Sequence, residues 1–302
     1  MIRRIGHVAV TVPYISDAVA FYESFIGLRV VERTRDSVYL SCNERHHELV
    51  LRDGRGGRAG LVHVGLEVEP GTIDDCVARA LDAGAAAPRE LSEPGVERAV
   101  EIAAPMGFSI KLFEGTQQVD APDHVAGVPE RFGHVNLTTP DVDGWGVFLQ
   151  DGLGFRLSDR AIDAEGPIIT WYHCPVAGAD HHGIANTRSV RTLLHHIKWE
   201  YRGASEVVDV VDRYCDGDRT LVWGMGRHGV DRSLFAYVED PAGLMNEVGL
   251  GMLTIDDESG WTGPADYRVD DPRSVNLWGT PIPERWLAHG IEVAATPVGN
   301  AA

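Results

Sequence analysis

The feature that most constrains this 302-residue chain is that it contains one pattern twice. The segment GHVAVTVPYISDAVAFYESFIGLRVVE at 6–32 has the layout of GHVNLTTPDVDGWGVFLQDGLGFRLSD at 133–159. Both read as a strand, a proline-marked turn, an amphipathic helix and a second strand. The correspondence continues with ERHHELV (44–50) against ADHHGIA (179–185), LVHVGLEV (61–68) against LHHIKWEY (194–201), and IAAPMGFSIKLFEG (102–115) against VEDPAGLMNEVGLG (238–251). From His7 and His134 to Lys111 and Glu247, the offset stays between 127 and 136 residues. A register held over so many points marks a duplication, and the two copies should fold alike.

Local signals fill in each copy. In the first, Ser16 is the expected N-cap, Val19, Tyr22 and Ile26 recur at helical spacing, and Gly27 is the stop. In the second, Asp141 caps, Trp145, Phe148 and Leu149 face inward, and Gly154 lies near the end. Further helical patterns occupy 71–85 and 203–217, the latter with Ser205 as the expected cap. Each copy therefore holds two βαβ-like units followed by more strands. The stretch 117–132, with Pro122, Gly127 and Pro129, suits a linker, which places a domain boundary near residue 125. After 255 the chain is turn-rich and aromatic and is expected to wrap the second domain, ending in a loose tail, ATPVGNAA.

Composition excludes several classes. A formal charge of -18 and a pI near 5.0 leave no basic face to neutralise phosphates, so neither nucleic acid nor an anionic membrane is an expected partner. Cys42, Cys76, Cys174 and Cys215 are widely spaced without a CxxC pair, which argues against a zinc ribbon or a disulfide framework and for the reducing cytoplasm. GMGRHG at 224–229 fits G-x-G-x-x-G, but DRSLFAYVEDP after it reads as a strand, so no helix N-terminus is there to take a pyrophosphate.

The chemistry-bearing residues cluster in 131–249. His134 and His196 with Glu247 are two imidazoles and a carboxylate from three separate strands, the donor set of a non-haem Fe(II) site with open positions. A single strand histidine is more often a hydrogen-bonded core residue than a ligand, so the joint spacing carries this reading. A buried Glu247 between Asn246 and Val248 would need a cation or a partner. His182, His228 and Tyr237 are candidates for proton transfer and substrate contact. Neighbours on a strand point to opposite faces, so only one of His195 and His196, and one of His181 and His182, can look inward.

Together these residues resemble the two-domain extradiol ring-cleavage dioxygenases of the vicinal oxygen chelate superfamily, over roughly residues 1–285 and most specifically over 228–249. The resemblance implies an α+β fold of tandem βαβββ modules, two per domain, each domain an incomplete mixed β-barrel with outer helices. It implies a metal-free N-terminal domain, 1–125, and a catalytic C-terminal domain with an extension, 126–302. By resemblance His134, His196 and Glu247 hold Fe(II), or alternatively Mn(II). His182 is then the acid–base residue, and Tyr237 and His228 stand on the substrate side. The implied reaction opens a catechol beside its vicinal hydroxyls with O2 to give a semialdehyde, in aromatic catabolism, in a homo-oligomer. Two alternatives stand beside it: a non-oxidative isomerase of the glyoxalase kind, and a non-catalytic binder of aromatic ligands.

The first copy is an internal control. His7, His63 and His47 match His134, His196 and His182, but Lys111 stands where Glu247 does. An ammonium repels a divalent cation, so this copy is expected to be empty unless Glu114 shifts into place. Trp145, Trp171, Trp199, Met225 and Phe235 are the candidates for an apolar pocket.

Overall fold

The computed structural model describes residues 1–121, 126–256 and 261–294, so the domain boundary expected near residue 125 and the tail at 295–302 lie outside the described residues. One unit, a strand, a helix and three strands, occurs four times. The first is β1 (Ile2–Val12), α1 (Ile15–Phe21), β2 (Arg29–Arg33), β3 (Ser37–Ser41) and β4 (Leu49–Asp53). The second is β5 (Gly60–Val68), α2 (Ile73–Asp82), β6 (Ala86–Leu91), β7 (Val96–Ala103) and β8 (Ser109–Thr116). In the second domain β9 (Arg131–Thr139), α3 (Val142–Val147), β10 (Arg156–Asp163) and β11 (Gly166–His173) follow. A two-residue strand, β12 (Ala179–Asp180), precedes β13 (Ile184–Arg188), which completes the third unit. The fourth is β14 (Leu193–Glu200), α4 (Ala204–Cys215), β15 (Trp223–Arg227), β16 (Leu234–Glu239) and β17 (Met245–Leu250).

Within each unit the first strand pairs in parallel with the last: β1 with β4, β5 with β8, β9 with β13 and β14 with β17. The crossover helix makes this possible, because parallel neighbours need a long connection. The first strands of the two units in a domain then pair antiparallel, β1 with β5 and β9 with β14. Each domain is thus an eight-stranded, mixed, open barrel with its helices outside. That is the α+β architecture of tandem βαβββ modules implied by the resemblance. β1, β5, β9 and β14 lie at the centre of the sheets, so residues facing inward from them converge.

Of the three expected helix caps, one forms. Asp141 caps α3, accepting from the Gly144 amide at 2.8 Å. Ser16 does not cap α1: the chain enters two residues earlier, Tyr14 is the N-cap, and the Ser16 hydroxyl lies beside Asp17. Ser205 likewise lies inside α4, whose N-terminal turn is closed by Glu206 reaching back to the Gly203 amide at 2.9 Å. Both α1 and α3 run on into a wider turn, Tyr22–Ile26 and Phe148–Gly152. The first ends at Gly27, where φ is 91° and a Cβ would meet the Gly127 carbonyl oxygen at 2.4 Å, so the stop requires glycine.

The two domains are tied along one seam. The Tyr22 hydroxyl donates to Asp240 at 2.9 Å, and the Tyr201 hydroxyl to the Ile26 carbonyl at 2.8 Å. The C-terminal stretch adds β18 (Thr254–Ile255), which pairs with β12, and β19 (Asp266–Arg268), which extends the sheet beside β10. Two short helices follow, α5 (Pro272–Val275) and α6 (Glu284–Leu287), and then β20 (Ile291–Val293). β20 pairs with both β14 and β5 and so crosses from one domain to the other. No described helix is long and apolar enough to cross a membrane.

Candidate metal centre

Strand periodicity builds the site. Residues two apart on a strand share a face, so His196, Lys198 and Glu200 of β14 point one way while His195, Ile197 and Trp199 point the other. In register, Lys198 lies opposite Glu247 of β17, and Tyr237 of β16 lies opposite Glu247 on its other side. His196 lies opposite Asn136 of β9, one pleat from His134.

The three expected ligands meet. His134 Nε2 and His196 Nε2 are 3.1 Å apart, and Glu247 Oε2 is 3.5 and 3.4 Å from them. Ligands at about 2.1 Å from an ion, on adjacent corners of an octahedron, stand roughly 3 Å apart, so the triangle has the size of one octahedral face. All three residues are buried.

The protonation pattern fits a cation as well. His195 donates from Nε2 to the Trp286 carbonyl at 2.9 Å, because a carbonyl can only accept. Its Nδ1 is then an acceptor, taking the proton of His196 Nδ1 at 2.7 Å. The consequence is a lone pair on His196 Nε2, aimed at the centre. Burial pushes the His196 imidazole down to about 4, against the pull of Glu247, so the neutral ligand form prevails near pH 7. Burial alone would raise the Glu247 carboxyl, but Lys198 above all, then the contacts with His134 and His196, hold it well below the usual range. Lys198 Nζ lies 2.9 Å from Glu247 Oε1, which leaves Oε2 for the centre. The residues present therefore fit a divalent metal.

A second histidine pair repeats the device. His181 donates from Nε2 to Asp159 at 2.8 Å and accepts at Nδ1 from His182 Nδ1 at 3.1 Å. His182 Nε2 is left as a lone pair beside the centre, its ring 4.3 Å from that of His134. Burial holds His182 well below its usual pKa, so it is neutral and able to accept a proton. Tyr237 is the opposite case: burial and the neighbouring Glu247 push its phenol well above 10, so it stays a donor, 2.9 Å from Glu247 Oε2. His228 fixes its own tautomer by donating from Nδ1 to the Val275 carbonyl at 2.8 Å, with Nε2 3.2 Å from the Tyr237 hydroxyl.

All six expected site residues line one cavity of about 40 Å³. The apolar lining differs from expectation. Of the five candidates only Trp171 reaches the cavity; Trp145 and Trp199 belong to the main core, Phe235 packs behind Trp223, and Met225 packs against the core. Trp223, Val275, Ile282 and Trp286 close it instead, the last three supplied by the C-terminal stretch. Sequence reasoning also missed Lys198, Asp231 and Asp159. For Lys198 the signal was present: three polar residues at period two, His196, Lys198 and Glu200, in a strand whose other residues are apolar apart from His195.

The chain belongs to the Glyoxalase/Bleomycin resistance protein/Dioxygenase superfamily, whose family model matches residues 4–112 and 131–248, one stretch in each domain. Among similar proteins, the Metapyrocatechase of Geobacillus stearothermophilus is 24% identical over 98% of this chain and 96% of its own. The Manganese-dependent 2,3-dihydroxybiphenyl 1,2-dioxygenase of Geobacillus genomosp. 3 is 24% identical, over 93% of this chain and 94% of its own. Metapyrocatechase 2 of Cupriavidus necator is 34% identical over 160 residues, which span 53% of this chain and about half, 48%, of that relative. Among solved structures, homoprotocatechuate 2,3-dioxygenase from Arthrobacter globiformis superposes with a TM-score of 0.87 at 26% identity, over 97% of this chain and 93% of that one.

Proposed function

We propose that this chain is an Fe(II)-dependent extradiol dioxygenase that opens a catechol beside its two hydroxyls with O2. The single observation that carries the reading is the triangle of His134, His196 and Glu247, with an open side facing a cavity that holds a neutral histidine and a protonated phenol. His134, His196 and Glu247 would hold the iron, which when bound would supply the redox chemistry. Mn(II) accepts the same donors, and one relative is named for it.

The chain's own residues do the rest. His182 Nε2 accepts a proton from a catechol hydroxyl, with Asp159 and His181 holding its tautomer. The Tyr237 hydroxyl donates to substrate oxygen, and His228 orients that hydroxyl. Trp171, Trp223 and Trp286 exclude water from the ring. The reading also assigns the domains as 1–125 and 126–302, with the second catalytic, and places the enzyme in reducing cytoplasm as a homo-oligomer. Four free cysteines support the reducing compartment.

The test is anaerobic purification, metal analysis, and O2 uptake on a catechol panel. The expected result is near one iron per chain, uptake, and a yellow ring-opened product, all lost in His196→Ala. Bound metal with no uptake on any catechol would point instead to a non-oxidative enzyme of the superfamily.

A further inference from the structure

Charge in the cavity narrows the substrate class beyond the catechol ring. The lining is apolar at Trp171, Trp223, Val230, Val275, Ile282 and Trp286, and among the described residues its carboxylates are Glu247 and Asp231. Among the described residues no lysine or arginine lines it, and the undescribed segments contain none. The nearest ammonium, Lys198, is fully buried and already paired with the carboxylates of Glu247 at 2.9 Å and Glu200 at 3.3 Å, and it donates to the Ser233 hydroxyl at 3.0 Å. His228 donates its Nδ1–H to the Val275 carbonyl, so the nitrogen it turns to the cavity is a lone pair rather than a donor for a carboxylate. Arg227 and Arg232 face a different cleft, beside Trp261 and Tyr267.

We infer that the natural substrate is a catechol bearing a neutral, apolar substituent, and that carboxylated catechols are rejected. The inference rests on the dioxygenase reading. A substituent carboxylate seated against this wall would leave water with no lysine or arginine to receive it, and outside the iron's own ligands it would face Asp231. An alkyl group would replace water against indole and aliphatic surface. The contrast with a structural neighbour is direct: a homoprotocatechuate 2,3-dioxygenase from Brevibacterium fuscum, TM-score 0.86 and 25% identical, is described in complex with 3,4-dihydroxyphenylacetate, a carboxylate.

The experiment compares two substrates that differ in charge at one ring position. kcat/KM for O2 uptake by the iron-loaded wild-type enzyme is measured with 3,4-dihydroxyphenylacetate and with its methyl ester, alongside unsubstituted catechol and 3-methylcatechol. The expected result is turnover of the neutral compounds and a kcat/KM for the acid lower than for the ester by roughly 100-fold or more. Ile282→Arg, which places a guanidinium at the cavity wall, should narrow that ratio by at least about tenfold. Acid and ester within about tenfold of each other in the wild type, or the acid preferred, would overturn the inference and leave the dioxygenase reading standing. No uptake on any compound, unsubstituted catechol included, would remove the dioxygenase reading and this inference with it.

Discussion

The two domains carry nearly the same imidazoles and differ in charge. In the first, His7 Nε2 and His63 Nε2 are 2.9 Å apart, as close as the 3.1 Å of His134 and His196. A lysine–glutamate pair stands beside both. The lysine of the first domain stands where the second has its glutamate, and no glutamate takes the lysine's place. In the second domain the lysine is on β14 and the glutamate opposite it on β17; in the first, Gly65 of β5 stands opposite Lys111 of β8. The carboxylate of the first domain comes instead from Glu93, in the β6–β7 turn, 2.7 Å from Lys111. Glu114, the residue expected to move in, accepts from the Gly71 amide at 2.7 Å, away from the histidines.

The presence of a lysine therefore cannot be what separates the copies, since Lys198 sits 2.9 Å from Glu247 in the second. The balance does. Around Lys198 stand three carboxylates, Glu247, Glu200 and Asp231, a surplus of two negative charges. Around Lys111 stand Glu93 and Glu101 together with Arg52, which leaves none. Glu93 Oε1 also lies 3.9 and 4.0 Å from His7 and His47, wider than the 3.4 and 3.5 Å of Glu247. Histidines supply lone pairs in both copies, and a buried divalent ion additionally needs net negative charge.

The largest expected effect comes from removing the surplus where it exists. Glu247→Ala should take metal content from near one per chain to near zero and abolish O2 uptake, whereas Glu93→Ala should leave both unchanged. Equal loss in the two variants would break the distinction between the copies. Next in size is the base: His182→Ala should retain metal and lose about 10² to 10⁴ in kcat, the usual contribution of a positioned proton acceptor. Its counterpart His47→Ala should leave kcat unaltered. Metal analysis beside steady-state kinetics reads both.

Much of this was legible in the chain because duplication and strand periodicity are one-dimensional signals. His134, His196 and Glu247 could be aligned with His7, His63 and Lys111 by offset alone, and the four βαβββ units follow from the same register. What was not legible is what arrives from elsewhere in space. Glu93 enters from a turn, with no periodicity to flag it. Trp286 and Val275 come from the irregular C-terminal stretch, where a tryptophan that closes a cavity reads like one that caps a core. The apolar pocket was misassigned for that reason: Trp145 and Trp199 are as hydrophobic as Trp223, and only the fold says which faces the metal. Ser16 and Ser205 are not caps because the chain enters each helix two residues earlier than these serines suggest.

A smaller effect separates the carboxylates behind the paired histidines. Asp159 is buried and holds His181, while Glu32, which holds His46 at 3.1 Å, has a side chain 42% exposed. A buried acceptor fixes a tautomer; an exposed one competes with water. Asp159→Asn is expected to lower kcat by about tenfold with metal content and KM little changed, and to alter the pH profile, since His182 is no longer held with its lone pair inward. Glu32→Gln should do neither. A change confined to KM, or to thermal stability, would mean that Asp159 supports packing rather than the proton acceptor.

The smallest and most diagnostic effect is a gain. Lys111→Glu replaces a positive charge with a negative one, giving the first domain the same surplus of two that the second has, and puts a carboxylate at the position of Glu247. In a Glu247→Ala background, where the native site is empty, this change should restore metal binding. Affinity should be weaker than native by about 100-fold or more, because the wider spacing around Glu93 must contract to reach ligand distance and the first domain lacks an Asp231. Lys111→Gln in the same background shifts the charge without supplying a ligand and should bind none. If both variants stay metal-free while folded by circular dichroism, charge balance is not what distinguishes the copies, and the ligand spacing set by the β6–β7 turn must be.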